Sequence, residues 1–199
     1  MITVELFVAL VGYYIVMYIT PGPNNTMLTV SGIKFGFIRT IPHLFGIPTG
    51  HAIQLTLVCL GLGTIFETYP EVQEILKWIG SGYLLYLAWR MLGSLKVGNQ
   101  DTSSPLKFYE AIIFQFVNPK AWVICITAVS LFFPSEENFI ISILFLVLIS
   151  SSTNLPCISC WAIFGTGIKR FLKNQRIKLA VEWLMAILLL LTAISILFG

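Results

Sequence analysis

Three stretches of this chain, residues 6–33, 40–66 and 138–168, contain no Asp, Glu, Lys or Arg. Each is longer than the roughly 20 residues that an α-helix needs to cross the hydrocarbon core of a bilayer. Only 11% of the chain is charged and 57% is hydrophobic, against roughly 25% charged in a soluble domain. The chain therefore reads as an all-α integral membrane protein. Residues 1–5 include no basic residue, and the first apolar run lacks a small-residue cleavage site, so no cleavable signal peptide is expected. The net charge of +3 is not gathered into a patch, which argues against a nucleic-acid partner.

Apolar runs and the punctuation between them predict six spans, at residues 6–33, 41–66, 78–95, 111–133, 139–168 and 179–198. The third is the least apolar, with Lys77 and Arg90 placed to snorkel from its ends. The polar stretch "VGNQDTSSP" (97–105) reads as a loop between two halves, 1–96 and 106–199, of one transmembrane domain. Lys34, Arg39, Arg90, Lys96, Lys107, Lys169, Arg170, Lys173, Arg176 and Lys178 all fall in the first, third and fifth connections. The second has only Lys77, and the fourth and both termini have none. By the positive-inside rule the odd connections are cytoplasmic and both termini face outward. Glu5, Glu67, Glu71, Glu74, Glu136 and Glu137 then all lie outside.

Two of the spans are interrupted. "YITPGPNNT" (18–26) breaks the first, and "NPKAW" (118–122) breaks the fourth. Helical prolines at 21 and 23 would remove the hydrogen bonds to the Met17 and Ile19 carbonyls, and Gly22, preceding a proline, is pushed out of the α region. Bare backbone at membrane depth is tolerated only where it is buried in protein or lines a wet cavity. Each break falls in the first span of its half, which prompts a search for a repeat. "KWIGSGYLLYLAWRMLGS" (77–94) aligns with "EWLMAILLLLTAISILFG" (182–199), Trp78 opposite Trp183. With three spans per half, the second half must insert upside down. The acidic loop 66–77 and the basic loop 169–178 agree with that. Inverted three-helix repeats with broken helices at matching positions point to a transporter with a site near the midplane.

The chemistry of the breaks is that of a receptor for a zwitterion. A half-helix starting near Pro23 or Asn24 presents free N–H groups to an anion. Asn118 is a favoured N-cap and Pro119 a favoured first helical residue. Lys120 adds a full charge in that first turn, and a lysine at membrane depth is a functional candidate by default. The substrate-binding candidates are thus Pro21, Gly22, Pro23, Asn24, Asn25, Asn118, Pro119 and Lys120, with the freed carbonyls of Met17, Ile19 and Gln115 available to an amino group. Gln54 and Asn154 are interior polar residues that serve either the site or interhelical contact. His51, able to carry a proton near neutral pH, and Glu110, near the mouth of the fourth span, are the proton-coupling candidates.

Other features have plainer readings. Gly32, Gly36, Gly46 and Gly50 form two small-xxx-small pairs that allow close helix approach. Pro48 and Pro156 are expected to kink the second spans of the two halves. Cys59, Cys125, Cys157 and Cys160 sit in apolar segments as small buried side chains. A zinc site would need both His43 and His51 beside a cysteine pair, so neither metal nor cofactor is expected.

On "PGPNN" (21–25), the glycine series through "GIPTG" (46–50), "YLLYLAW" (83–89) and "QFVNPKAW" (115–122), the chain resembles the LysE/RhtB-type bacterial amino-acid exporters over nearly its whole length. "FYEAIIFQFVN" (108–118) is most similar to the branch exporting cysteine and O-acetylserine. The resemblance implies proton-driven efflux of amino acids or close derivatives across the bacterial inner membrane. It also implies six helices in two inverted repeats. The implied partners are an amino-acid substrate and the lipid bilayer, and a homo-oligomer is possible. Pro42 and Pro48 depart from the family pattern, and no carboxylate lies deep in the second span, which leaves the proton carrier open.

A six-span channel of the aquaporin type would carry a repeated NPA, which is absent. An intramembrane enzyme would need a nucleophile beside a base or a metal cluster, and neither histidine belongs to such a motif. A structural role is distinguished from transport only by assay. The Lys and Arg distribution makes a direct prediction. Cysteines introduced at Ser135 and Gln175, in a background lacking the native four, should react with an impermeant reagent in intact cells at 135 and not at 175. The opposite pattern overturns the orientation.

Overall fold

The computed structural model describes residues 2–62, 68–92, 104–134, 138–172 and 174–198. Eight α-helices account for most of them: α1 (Val4–Ile19), α2 (Pro23–Phe35), α3 (Phe37–Leu57), α4 (Pro70–Met91), α5 (Phe108–Val117), α6 (Pro119–Phe132), α7 (Phe139–Ile168) and α8 (Gln175–Phe198). The expected loop 97–105 lies outside the described residues up to 103, as do Glu67, Ser135, Glu136 and Glu137.

Three helices are long and apolar enough to cross a membrane: α3 with its continuation to Leu62, α7 with its continuation to Phe171, and α8. The remaining apolar segments are broken pairs. α1 and α2 meet at 54°, α5 and α6 at 72°, and counting each pair as one span brings the number to five. The predicted third span corresponds to α4, which has the length but carries Glu71, Glu74, Lys77 and Arg90. It begins at Pro70, eight residues before the predicted boundary at 78. Proline suits a first helical turn, and Glu71 suits the positive end of the helix dipole. Charged turns of helix are invisible to an apolar window.

Neither of the other expected kinks ends a helix. α3 runs through Pro42 and Pro48, and α7 runs through Pro156. α3 instead widens into a π turn at Val58–Leu62, where Gly61 takes φ 108°, a conformation open mainly to glycine.

α7 is the central post. It packs against α1, α2 and α3, while α4 lies along α8 and α5 lies along α3. These pairings bury three apolar clusters. One joins α1, α3, α6 and α7 around Leu10, Tyr14 and Leu146. A second joins α2, α4 and α8 around Leu84, Met185 and Leu189. The third joins α2, α3, α5 and α7 around Leu28, Ile47 and Ile158. The outward faces remain apolar, Trp78 and Trp183 among them at 61% and 55% exposure, as a lipid-facing surface requires.

Glycines set the closest contacts. A side chain at Gly32 would meet the Ala162 carbonyl, and one at Gly165 would meet the Thr29 carbonyl. Gly46 and Gly50 face the α5 backbone at Phe108 and Ile112 in the same way. Gly36 differs from the sequence expectation. It lies at the α2–α3 corner with φ 81° and nothing near its would-be Cβ, so turn geometry explains it. Gly165→Val should therefore melt several degrees below wild type in detergent, since overpacking a tight contact costs ~1–3 kcal/mol. Gly12→Ala, where nothing lies within 4 Å, should lose nothing. Equal melting of the two variants would mean that α2 and α7 are not in contact.

Candidate functional site

The first break leaves five carbonyls, Met17 to Pro21, without helical partners, and each finds a donor. The Thr20 N–H donates to Val16 O at 3.2 Å, and its hydroxyl donates to Met17 O at 3.0 Å. Asn25 reaches back from α2, its amide donating to Tyr18 O at 2.8 Å and Thr20 O at 2.7 Å. The Trp161 indole donates to Ile19 O at 3.2 Å. Pro21 O accepts from Lys120 Nζ at 3.0 Å, with the Thr192 hydroxyl of α8, itself donating to Leu188 O at 2.8 Å, a further 3.4 Å neighbour. Buried backbone groups without partners are rare and costly, and the carbonyl side of the break leaves none. The Met17 and Ile19 carbonyls, offered to a substrate by the sequence reading, are already taken.

The second break follows its sequence closely. Asn118 caps α6, its side-chain oxygen accepting from the Lys120 N–H at 3.2 Å, and Pro119 is the first helical residue. The Asn118 carbonyl accepts from Ala121 and Trp122. The Gln115 carbonyl, the third one offered to a substrate, accepts from Asn118 N–H at 3.1 Å and from the Gln54 amide at 3.4 Å.

The two starting half-helices are consequently unlike. α6 is closed by its own cap. α2 begins behind Gly22, which has no side chain to cap with, and Pro23. The N–H groups of Asn24 and Asn25 have no partner among the described hydrogen bonds. The N–H groups left open are thus at the start of α2, whereas the Lys120 N–H of α6 is capped.

The breaks touch. Lys120 Nζ donates to Thr20 O at 3.0 Å, Thr20 Oγ1 at 2.8 Å and Pro21 O at 3.0 Å. Beside this contact, the Asn24 and Gln115 amides pair reciprocally at 2.8 and 3.2 Å. Gln115 is also held to Ala111 O at 2.9 Å. A cavity of about 30 Å³ lies here, bordered by Gly22, Pro23, Asn24, Asn118, Lys120 and Asn154 among others. That is room for ordered water and little more.

The other candidates divide. Asn154 borders the cavity and is 2% exposed, its Oδ1 without a protein partner. His51 also borders it, edge-on to the Tyr18 ring and 3.7 Å from Cys125 Sγ. Asn25 and Tyr18 join the wall, and the Tyr18 hydroxyl pairs with Ser150 at 2.6 Å. Gln54 is fully buried and supports the Gln115 carbonyl without bordering the cavity. Glu110 is at the far end of α5, accepting the Lys107 N–H at 2.8 Å as a terminal cap. No group of three or more His, Cys, Asp or Glu able to hold a metal occurs among the described residues.

Sequence reasoning missed the side chain of Gln115 and the role of Thr20, because nothing local marks a residue whose partner is about a hundred positions away. It also missed a second cavity of about 320 Å³, at the Lys34 end of α2. Its wall includes Thr26, Met27, Ser31, Met91 and Leu189, together with His43, which is 1% exposed with neither ring nitrogen partnered.

Comparison with known proteins finds relatives along nearly the whole chain. Over 200 residues, 98% of each chain, it is 32% identical to the cysteine/O-acetylserine efflux protein of Klebsiella pneumoniae subsp. pneumoniae. Proteins of the same name from Salmonella choleraesuis and Escherichia coli O139:H28 are 29% and 28% identical, each comparison covering 94% of both chains. No solved structure matches. Residues 15–199 match the LysE type translocator model, and on that evidence this multi-pass membrane protein belongs to the LysE type translocator family and is a transporter, not an enzyme.

Proposed function

We propose that this translocator exports small amino acids, with cysteine and O-acetylserine the first to test, from the cytoplasm across the bacterial inner membrane at the expense of the proton gradient. The observation that carries the reading is the meeting of two membrane-helix breaks through one lysine, with Lys120 of the second held 2.8–3.0 Å from the backbone and hydroxyl of the first. Interrupted helices with polar residues at their junction form the binding sites of secondary transporters. The names of the relatives support the substrate class.

In this reading the two halves are inverted repeats. The exchanged pairing, α1 on α7 and α5 on α3, supports that, since each broken span's first half lies against the second span of the other repeat. The substrate carboxylate sits at the start of α2, on the free N–H groups of Asn24 and Asn25, with Lys120 as its counter-charge. Asn118 holds the lysine-bearing helix in place, Asn154 offers its unpartnered oxygen, and Gln54 braces Gln115. With both termini outside, the larger cavity at the Lys34 end of α2 opens toward the cytoplasm, as an exporter loading its substrate requires. Of the two proton candidates, His51 borders the central cavity, and Glu110 is occupied as a cap. We therefore assign the proton to His51.

Proteoliposomes loaded with a panel of labelled amino acids, under an imposed pH gradient, provide the test. Cysteine or O-acetylserine should leave saturably, and collapsing the gradient should stop net efflux. Lys120→Met, normalised to inserted protein, should weaken apparent affinity roughly ten- to a hundredfold, since a hydrogen bond to a charged group is worth ~1.5–3 kcal/mol. Asn118→Ala should lower both transport and stability, because its cap is worth ~1 kcal/mol. His51→Gln should leave efflux down a concentration gradient but remove its response to pH. Wild-type export by Lys120→Met would overturn the carboxylate assignment.

A further inference from the structure

We infer that the Thr20 carbonyl, the Thr20 hydroxyl and the Pro21 carbonyl form an ammonium subsite, which Lys120 fills in the empty transporter and yields to the α-ammonium of the substrate. The inference rests on the export reading above and extends it to the amino end of the substrate.

The three acceptors match a primary ammonium in number and placement. Such a group has three N–H donors and no acceptor, and Lys120 directs its ammonium at three oxygens, at 2.8, 3.0 and 3.0 Å. Two are backbone oxygens just past the C-terminus of α1, at the negative end of its dipole. The hydroxyl is polarised correctly as well. It donates to Met17 O and is left as an acceptor toward the lysine. Separate contacts hold two of the acceptors in place, Asn25 on Thr20 O at 2.7 Å and the Thr20 hydroxyl's own bond to Met17 O, so those two keep their places without the lysine.

Gly22 shows that the lysine arm is accommodated by design of the backbone. Its φ of 175° is extended and open to any residue, so backbone freedom does not explain the glycine. A Cβ there would lie 3.0 Å from Lys120 Cδ and 3.3 Å from Nζ. The missing side chain makes room for the arm.

The adjoining cavity of about 30 Å³ cannot take an amino acid while the arm occupies the corner. Withdrawal of a four-carbon stem and its ammonium vacates space of the order of a small amino acid. The same corner then offers acceptors at Thr20 and Pro21 and free donors at Asn24 and Asn25. These are opposite partial charges a few residues apart, as the two charges of an α-amino acid are. The exchange conserves partners. The substrate ammonium takes the lysine's acceptors, and the lysine takes the substrate carboxylate.

Specificity follows from that balance. An acid without an amine would draw Lys120 away and leave three buried acceptors unpaired, which is costly. An amine without a carboxylate would displace a cation that then has no anion to meet. The subsite therefore selects molecules carrying both groups free.

Two measurements test this. In detergent, Lys120→Ala should lower the melting temperature, and ethylammonium should restore part of it where tetramethylammonium, with no N–H donors, does not. Rescue by both ions or by neither overturns the cradle. Should Lys120→Ala fail to fold, Gly22→Ala, which crowds the arm, serves instead: it should melt below wild type, and an unchanged melting temperature overturns the cradle. In proteoliposomes, cysteine should be exported, while 3-mercaptopropionate, lacking the amine, and cysteamine, lacking the carboxylate, should compete with it roughly tenfold or more less well. Equal competition by 3-mercaptopropionate overturns the exchange and leaves the export reading standing. If cysteine and O-acetylserine both fail to move, the export reading falls, and the exchange with it.

Discussion

A peptide group inside a bilayer has no water to turn to, and a broken membrane helix frees several such groups at once. In this translocator the freed carbonyls run from Met17 to Pro21, and their donors come from a threonine hydroxyl, an asparagine two residues into the next half-helix, an indole on α7 and the ammonium of Lys120. The lysine has the complementary difficulty, a charge at membrane depth needing acceptors. Each is the other's solution. That mutual dependence ties the start of α6 to the end of α1, and the packing of both halves must respect it.

The glycine contacts follow from this constraint. Bringing the two breaks within hydrogen-bond reach requires α2 close to α7 and α3 close to α5, and Gly32, Gly165, Gly46 and Gly50 remove the side chains that would hold those helices apart. Gly80 does the same for the ring of Pro119, seating α4 against the second break. In hydrocarbon, where apolar burial does not drive helices together, such close approach supplies the attraction.

The corner is also asymmetric, and in the proposed function that asymmetry bears on transport. Both half-helices begin with proline, yet the residue before it is glycine in one and asparagine in the other. Asparagine closes its helix with its own side chain. Glycine leaves two N–H groups open beside a lysine that has somewhere else to be. A transporter must bind without holding permanently, and a site whose charges are partnered internally when empty avoids both a bare buried charge and an irreversible grip on substrate.

The sequence by itself determined the long apolar helices, the two interruptions and the Asn118 cap, because these depend on short-range chemistry. Charge-free length, a missing N–H at proline and an asparagine before proline act within a few residues. The family could be read for the same reason, since its motifs are contiguous. The start of α4 was misread because its first turns are helical but charged, and Gly36 because a corner and a close contact look alike in one dimension. Which oxygens Lys120 meets and that Gln115 pairs with Asn24 ninety-one positions away were decided by the tertiary structure alone. Hydrogen bonds between distant segments leave no local pattern. Only when α7 draws the two halves together do the carbonyls of one break come to lie where the ammonium of the other can reach them.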